Sequence, residues 1–338
     1  MRGAKKAAAT ALMITVFGFL AAAQSGSLAG PTLGYVQDDQ GTSLWPILGV
    51  LGASLLGPRL ELSAGIAGVT ISPKHDYAIA IRTEDAQVVI VNLNIEGPKL
   101  APIADALANA SMFGISPTGV AAALYSNASK RLQVLSGLPL TPSVVFEFDA
   151  SPLPGEVNGI AVTDDAQLAL VSVGNAESGG LWAANVWGSW PLTEGRTLMT
   201  FVAFRHDVVI AEDAAQRVSL LQSIDQNPSV LPLWVFDDEP RPFSGVAALA
   251  SGGTVFVSRR GSGDITVIDP ETQSLSVRSC GCEPTGFFPL KGTPAFRLNG
   301  LFGGPMTVLD ISSPDAQMVV IPPDPNMVAA LSGRQQTQ

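Results

Sequence analysis

The stretch GVAALASGGTVFVSRRGSGDITVIDPETQSL, Gly245–Leu275, contains three short apolar segments separated by turn residues. The first segment is built from small residues, whereas the second and third are rich in valine and isoleucine, which favour strands. Glycine, serine, proline and aspartate occupy the intervals and mark turns. Helical periodicity is nearly absent here and in most of the chain after residue 23. The pattern therefore predicts short antiparallel strands joined by tight turns.

The same pattern occurs six times along the chain. Five intervals separate the first copy from the last, so the period is about 44 residues, which is typical of four-stranded propeller blades. Each copy opens with a small-residue strand, as expected for innermost strands that converge around a narrow channel. The six copies begin at Gly68, Gly114, Gly159, Thr200, Gly245 and Gly286.

We therefore predict an all-β β-propeller of four-stranded blades, with six blades favoured and seven as the alternative. The segment Leu33–Leu48 aligns with Ile265–Cys280, which covers a third and a fourth strand. This N-terminal strand pair is expected to dock beside the C-terminal unit and close the ring. The predicted boundaries are a single propeller domain over residues 24–323 and a flexible C-terminal tail over residues 324–338.

The first 23 residues have the layout of a secretory signal peptide. Arg2, Lys5 and Lys6 precede an apolar run of about 16 residues, and small residues end at Ala23. The run is shorter than the roughly 20 residues of a spanning helix. This layout predicts export to the periplasm or the cell exterior. No later segment is long and apolar enough to span a bilayer. The formal net charge of −10 argues against nucleic acid and anionic membranes as partners.

One copy also carries a family resemblance. Thr254–Leu275, with its TVFVS strand followed by ITVID and a turn, resembles the YVTN-type β-propeller repeat. YAIAIRTEDAQVVIVNL, residues 77–93, is a looser copy. The resemblance implies a YVTN/NHL-like propeller of an exported bacterial protein. Relatives of that type include lactonases, quinone-containing dehydrogenases and non-enzymatic envelope proteins, so the resemblance selects no function.

Candidate ligand-binding residues lie in loops on the face of a propeller that usually binds ligands. Glu156, Arg241 and Glu283 stand three or four residues before an innermost strand, and Arg259 follows a second strand. These positions direct the first three toward the mouth of the channel. Carboxylates and arginines there suit a polar ligand or a divalent cation such as Ca²⁺. Solvated loops and salt bridges between blades are the alternative interpretation.

Both cysteines of the chain lie in one connector, as Cys280-Gly281-Cys282. Export favours oxidation, and a disulfide between them closes a very small ring, which is expected to be strained. A free thiol pair and metal ligation remain open, although two thiolates are only half of a tetrahedral zinc set.

Histidines and tryptophans give weaker indications. His75 and His206 are expected in solvated turns between first and second strands. Trp182, Trp187 and Trp190 suggest either packing between blades or a patch that binds a sugar or a partner.

Two functions remain open. The favoured one is a non-catalytic binding or scaffold module for a protein, peptide or glycan partner of the cell envelope. The alternative is a metal-dependent hydrolase of the lactonase kind that uses carboxylates at the channel mouth, including Glu156 and Glu283. No catalytic residue is assigned, because no G-x-S-x-G or phosphate-binding motif occurs in the sequence.

Overall fold

A computed structural model describes residues 30–323 except 39–42, 63–64, 94–97, 175–178, 195–196, 203–205, 250–252, 302–304 and 314–315. The predicted signal peptide and C-terminal tail lie outside the described residues. No helix in the described part of the chain is long and apolar enough to cross a membrane. The strands form seven antiparallel sheets, which we number as blades 1–7 in chain order.

The first four blades comprise strands β1–β16. Blade 1 contains β1 (Thr32–Gln37), β2 (Ser43–Val50), β3 (Ala53–Leu56) and β4 (Leu60–Glu61). Blade 2 contains β5 (Ile66–Ile71), β6 (Tyr77–Arg82), β7 (Gln87–Asn92) and β8 (Lys99–Pro102). Blade 3 contains β9 (Met112–Ile115), β10 (Ala121–Ser126), β11 (Arg131–Ser136) and β12 (Ser143–Asp149). Blade 4 contains β13 (Val157–Val162), β14 (Ala169–Gly174), β15 (Gly179–Asn185) and β16 (Gly188–Glu194).

The last three blades comprise strands β17–β28. Blade 5 contains β17 (Thr197–Phe201), β18 (Val208–Glu212), β19 (Arg217–Gln222) and β20 (Ser229–Val235). Blade 6 contains β21 (Phe243–Ala248), β22 (Val255–Arg259), β23 (Asp264–Asp269) and β24 (Ser274–Ser279). Blade 7 contains β25 (Phe288–Pro289), β26 (Ala295–Arg297), β27 (Met306–Asp310) and β28 (Gln317–Ile321).

Antiparallel order fixes two faces of the ring. In blades 2–7, turns between first and second strands lie on one side, which we call the turn face. Loops between second and third strands, and the connectors between blades, lie on the opposite side, which we call the loop face. Second and third strands read as continuous apolar runs, such as Val88–Val91 in β7, because both surfaces of a blade are covered by its neighbours.

The favoured count of six blades is wrong, because the structure has seven. Leu33–Leu48 is not an extra strand pair attached to another unit. It spans β1 and β2, and β3 and β4 add to the same sheet, so the N-terminal segment forms a blade of its own. The all-β propeller with four-stranded blades is confirmed.

Among the described residues, seven apolar cores join the blades into a closed ring. Each core lies between two neighbouring blades. Blade 1 takes part in two of them, since Leu44 packs in the core with Val69 of blade 2 and Trp45 in the core with Met306 of blade 7. Blade 1 is therefore the element that joins the C-terminal blade to blade 2.

Candidate functional site

A cavity between blades 5 and 6 opens toward the loop face. Its volume is about 410 Å³. Two of the four predicted ligand-binding residues, Arg241 and Arg259, line it. We call this cavity the 5/6 groove. Its other lining residues are Trp234, Phe236, Asp237, Asp238, Ser262, Asp264, Thr266, Leu275 and Val277.

Arg259, at the end of β22, forms the fixed wall of the groove. Its guanidinium makes two hydrogen bonds to the carboxylate of Asp238, at 2.6 and 2.7 Å. It also stacks on the ring of Phe236, 4.2 Å from the ring centroid, and its side chain is only 12% exposed. The hydrogen bonds from Arg259 lower the pKa of Asp238. Arg259 therefore joins blade 6 to the connector that follows blade 5, and its charge is already matched.

Arg241 is the more accessible of the two arginines. Its backbone N–H donates to the side chain of Gln216, which positions the residue at the rim. The guanidinium lies 3.5 Å from the carbonyl oxygen of Gly261 and 3.9 Å from the carboxylate of Glu239. Both contacts are long for a strong charged hydrogen bond, so its donors remain accessible to a ligand.

The remaining walls combine apolar surface with carboxylates. Trp234 and Leu275 are partly buried, whereas Val277 is exposed. Asp237 and Asp264 form no salt bridge with any described residue. An aromatic side chain beside donors and acceptors suits the binding of a polar molecule with an apolar face, such as a sugar or a peptide segment.

The other two predicted residues are not part of this groove. Glu156 precedes β13 in blade 4, Glu283 precedes β25 in blade 7, and both are exposed. Within the described ranges, no three histidine, cysteine, aspartate or glutamate side chains are grouped closely enough to hold a metal ion. The structure therefore brings together Arg241 and Arg259 but not Glu156 and Glu283.

Cys280 and Cys282 lie at the junction of blades 6 and 7. Their sulfur atoms are joined in the structure, with the Cα atoms 5.1 Å apart. Cys280 is buried in the core between these blades, and its backbone N–H donates to the carbonyl of Gly263. A disulfide at this position would hold the start of the connector in place. Whether the two cysteines are oxidised stays a prediction.

We expect the protein, purified without reductant, to take up no alkylating reagent unless a reductant is added first. A disulfide has no thiolate to react, whereas two free thiols would each add one alkyl group. Intact mass before and after alkylation measures this directly. Addition of two alkyl groups without reductant would show that the disulfide is absent.

His75 is not the solvated turn residue expected from the sequence, since it is only 5% exposed. Its Nδ1 accepts the backbone N–H of Tyr35 at 3.0 Å, and its Nε2 lies 2.7 Å from the carbonyl oxygen of Pro289. Burial lowers its pKa, and the nearby cations Arg297 and Lys291 lower it further. His75, from blade 2, therefore links blade 1 to blade 7.

His206 is partly exposed and lies between two carboxylates. Its Nε2 is 3.1 Å from Asp165 of blade 4, and its Nδ1 is 2.9 Å from Asp225. Burial alone would lower its pKa, but the hydrogen bond and charge of Asp225 and the charge of Asp165 outweigh it and raise the pKa. No sequence pattern indicated either histidine contact, because both depend on the packing of neighbouring turns.

The three clustered tryptophans have different roles. Trp182 packs against the core between blades 3 and 4, and Trp190 against the core between blades 4 and 5. Trp187 is 91% exposed at the tip of the β15–β16 turn. The tryptophan that lines the groove, Trp234, was not singled out from the sequence because it lies alone on an outer strand.

Comparisons with known proteins identify the fold but no family. No protein-family model matches the chain, and no curated protein sequence matches it significantly. Solved structures do match, and three of them share 10–12% identity with this chain.

The Cps50 (Swd1) β-propeller domain from Myceliophteria thermophila has a TM-score of 0.54 at 11% identity, covering 84% of this chain and 98% of that one. A protein named provisionally as a 6-phosphogluconolactonase from Bacteroides fragilis has a TM-score of 0.59 at 10% identity, covering 86% and 92%. A protein from Lactobacillus plantarum has a TM-score of 0.58 at 12% identity, covering 86% and 96%. Such low identities show a shared β-propeller fold alone.

Proposed function

We propose that this protein is an exported, non-catalytic binding propeller that holds a peptide or glycan segment in the 5/6 groove. One observation carries the proposal: Trp234, Arg241 and Arg259 line a single cavity of about 410 Å³ on the loop face. The N-terminal sequence supports export, and the Thr254–Leu275 pattern supports a YVTN-like repeat. The partner would be a component of the cell envelope.

The arrangement of charges explains how the groove would bind. Arg259 is held by Asp238 and Phe236, so it forms part of the wall and keeps these contacts when the ligand binds. Arg241 offers donors at the rim, and Asp237 and Asp264 offer acceptors. An apolar face of the ligand packs on Trp234 and Val277. A pre-formed wall reduces the entropy lost on binding, which favours recognition without a large rearrangement.

The alternative, a metal-dependent hydrolase of the lactonase kind, rests on likeness of fold alone. Its predicted carboxylates Glu156 and Glu283 precede inner strands of two different blades, and neither is among the described residues that line the 5/6 groove. Metal analysis distinguishes the two functions, since a hydrolase of this kind requires a stoichiometric divalent cation such as Ca²⁺.

The test is a screen of the purified protein against arrays of short peptides and oligosaccharides, followed by titration of the strongest ligand. We expect Trp234→Ala to weaken binding at least about tenfold, because aromatic anchors dominate such sites. Trp187→Ala is the matched control, since it removes an exposed tryptophan outside the groove. Equal affinity of both variants and the wild type, with each variant folded by thermal unfolding, would contradict the proposed site.

A further inference from the structure

Arg297 is a buried cation with no anionic partner among the described residues. It ends β26 in blade 7, and only 8% of it is exposed. Its Nη1 donates to the backbone carbonyl of Asn299, and its guanidinium lies 4.1 Å from the ring centroid of Phe288. No described aspartate or glutamate forms a salt bridge with it. A guanidinium has five N–H donors, so four of them have no acceptor among the described residues.

The charge of Arg297 is retained despite its burial. Burial lowers the pKa of the guanidinium to about 10, and no described carboxylate raises it again. The group therefore stays positively charged at neutral pH. A buried charge is normally paired, because an unpaired one loses its hydration without gaining an equivalent interaction. Stacking on Phe288 offsets part of this loss, but an aromatic ring does not replace the missing acceptors.

Arg297 lies on the surface of blade 7 that faces blade 1. Ala295, two residues earlier in β26, packs in the core with Trp45 of blade 1, whereas Leu298 packs in the core with blade 6. Alternate residues of a strand share one surface, so Arg297 is on the same side as Ala295. Phe288, which pairs directly with Arg297, belongs to the inner strand β25. The guanidinium is therefore on the channel side of the junction between blades 7 and 1.

The guanidinium is held in place but can be reached by a small solute. The side chain of Asn299 accepts the N–H of Thr307 at 2.7 Å and donates to the carbonyl of Pro305 at 3.1 Å. These bonds fix the backbone carbonyl to which Arg297 donates. Phe288 is 39% exposed, so small solutes reach the junction from the channel side. The edge formed by Nε and Nη2 has two parallel N–H groups, which match two oxygens of a carboxylate or a phosphate.

The surroundings of Arg297 carry further positive charge. Burial lowers the pKa of His75, and the charges of Arg297 and Lys291 lower it further. Among the described carboxylates, only Asp76 opposes them. The N–H of Lys291 donates to the carbonyl of Leu33, which places this lysine at the same junction of blades 7 and 1. In a chain with a formal net charge of −10, this local excess of positive charge favours an anion as the ligand.

We propose that Arg297 binds the oxyanion of a small ligand, a carboxylate or a phosphate group, at the junction of blades 7 and 1. Nε and Nη2 donate to two oxygens of the anion, while Phe288 and the carbonyl of Asn299 keep the guanidinium in position. The anion supplies the acceptors and the negative charge that the described protein groups do not. This site is separate from the 5/6 groove, so the proposal does not depend on peptide or glycan binding there.

Thermal unfolding of the full chain in inorganic phosphate or in acetate tests the site, with sodium chloride at equal ionic strength as the reference. We expect the Tm of the wild type to rise with the concentration of at least one oxyanion, because a ligand that binds only the folded state stabilises it. Calorimetric titration with that anion then gives the Kd. We expect the Kd to increase at least about tenfold in Arg297→Met, which removes the charge and all the donors.

Two further variants complete the comparison. Arg297→Lys keeps the charge but loses the paired donors, so it should also weaken binding while preserving the charge at this position. Arg131→Met is the matched control, since it removes a half-exposed arginine of blade 3 and should leave the Kd unchanged. A response to phosphate alone would assign a phosphate-bearing ligand, and a response to acetate alone a carboxylate. A wild type that responds to neither oxyanion beyond chloride, or equal affinity in the wild type and both Arg297 variants, would overturn the proposal.

Discussion

Replacing His75 by alanine is expected to lower the free energy of unfolding by about 2–4 kcal/mol. The substitution removes two hydrogen bonds and leaves the N–H of Tyr35 without its partner at a buried site. It also removes contacts among three blades, because His75 belongs to blade 2 and contacts blades 1 and 7. Urea unfolding of the wild type and the variant measures the difference. A loss below about 0.5 kcal/mol, the range of ordinary surface substitutions, would contradict this role.

The same substitution has a predicted pH dependence. Nδ1 of His75 accepts a hydrogen bond, so the neutral ring carries its proton on Nε2 and donates to the carbonyl of Pro289. Protonation would place an N–H against the N–H of Tyr35. Burial and the cations Arg297 and Lys291 lower the pKa of His75, while the Pro289 carbonyl and Asp76 oppose this. The folded-state pKa thus lies below the unfolded value, and the stabilisation is lost as the pH falls through the folded-state pKa.

His206 provides a control of opposite sign. Its pKa is raised by Asp225 and Asp165, so its contribution is present below the unfolded pKa and is lost as the pH rises through the folded-state value. From about pH 8 to about pH 5, spanning the usual histidine pKa, the effect of His75→Ala should therefore shrink. The effect of His206→Ala should grow over the same range. Parallel trends for both variants would show that the two environments are not distinct.

Gly114→Val is expected to destabilise the ring by about 3 kcal/mol. A Cβ atom at Gly114 in β9 would lie 2.6 Å from the carbonyl oxygen of Ile160 in β13, the inner strand of the next blade. Backbone cannot rotate away as a flexible side chain can, so the inner strands of blades 3 and 4 must separate. Thermal or urea unfolding measures the effect.

Gly300→Ala is the control for that prediction. A Cβ atom at Gly300 meets no atom of the described residues within 4 Å, so this variant should unfold within about 0.5 kcal/mol of the wild type. Similar stability of Gly114→Val and Gly300→Ala would mean that the inner strands of blades 3 and 4 are not as closely packed as the structure has them.

The sequence repeat predicted the propeller architecture but not blade 1. Six copies open with an inner strand that is visible in the sequence, such as Gly245–Leu249. No such opening is visible in the sequence before Thr32, so the alignment gave a strand pair where the structure has a blade of its own. Its status as a separate blade depends on the cores that Leu44 and Trp45 form with two neighbours, and those are contacts between distant parts of the chain.

The candidate site was only partly predictable for a similar reason. The repeat register placed Arg241 and Arg259 on the loop face, and both line the 5/6 groove. It did not indicate Trp234 or Asp238, because the groove depends on how the outer strands of two blades diverge. His75 was expected in solvent, but its backbone has a φ of 54° and its ring lies against Gly34 of another blade. Neither feature leaves a pattern in the sequence.

A hydrogen–deuterium exchange footprint of the bound ligand tests most directly whether this propeller binds through the 5/6 groove. The strongest ligand from the peptide and oligosaccharide arrays is added at saturation, and amide exchange is compared with that of the free protein. We predict slower exchange at residues 234–241 and 259–266, which form the two sides of the groove. Protection confined to the connectors around Glu156 and Glu283, with the groove unchanged, would contradict the proposed binding site.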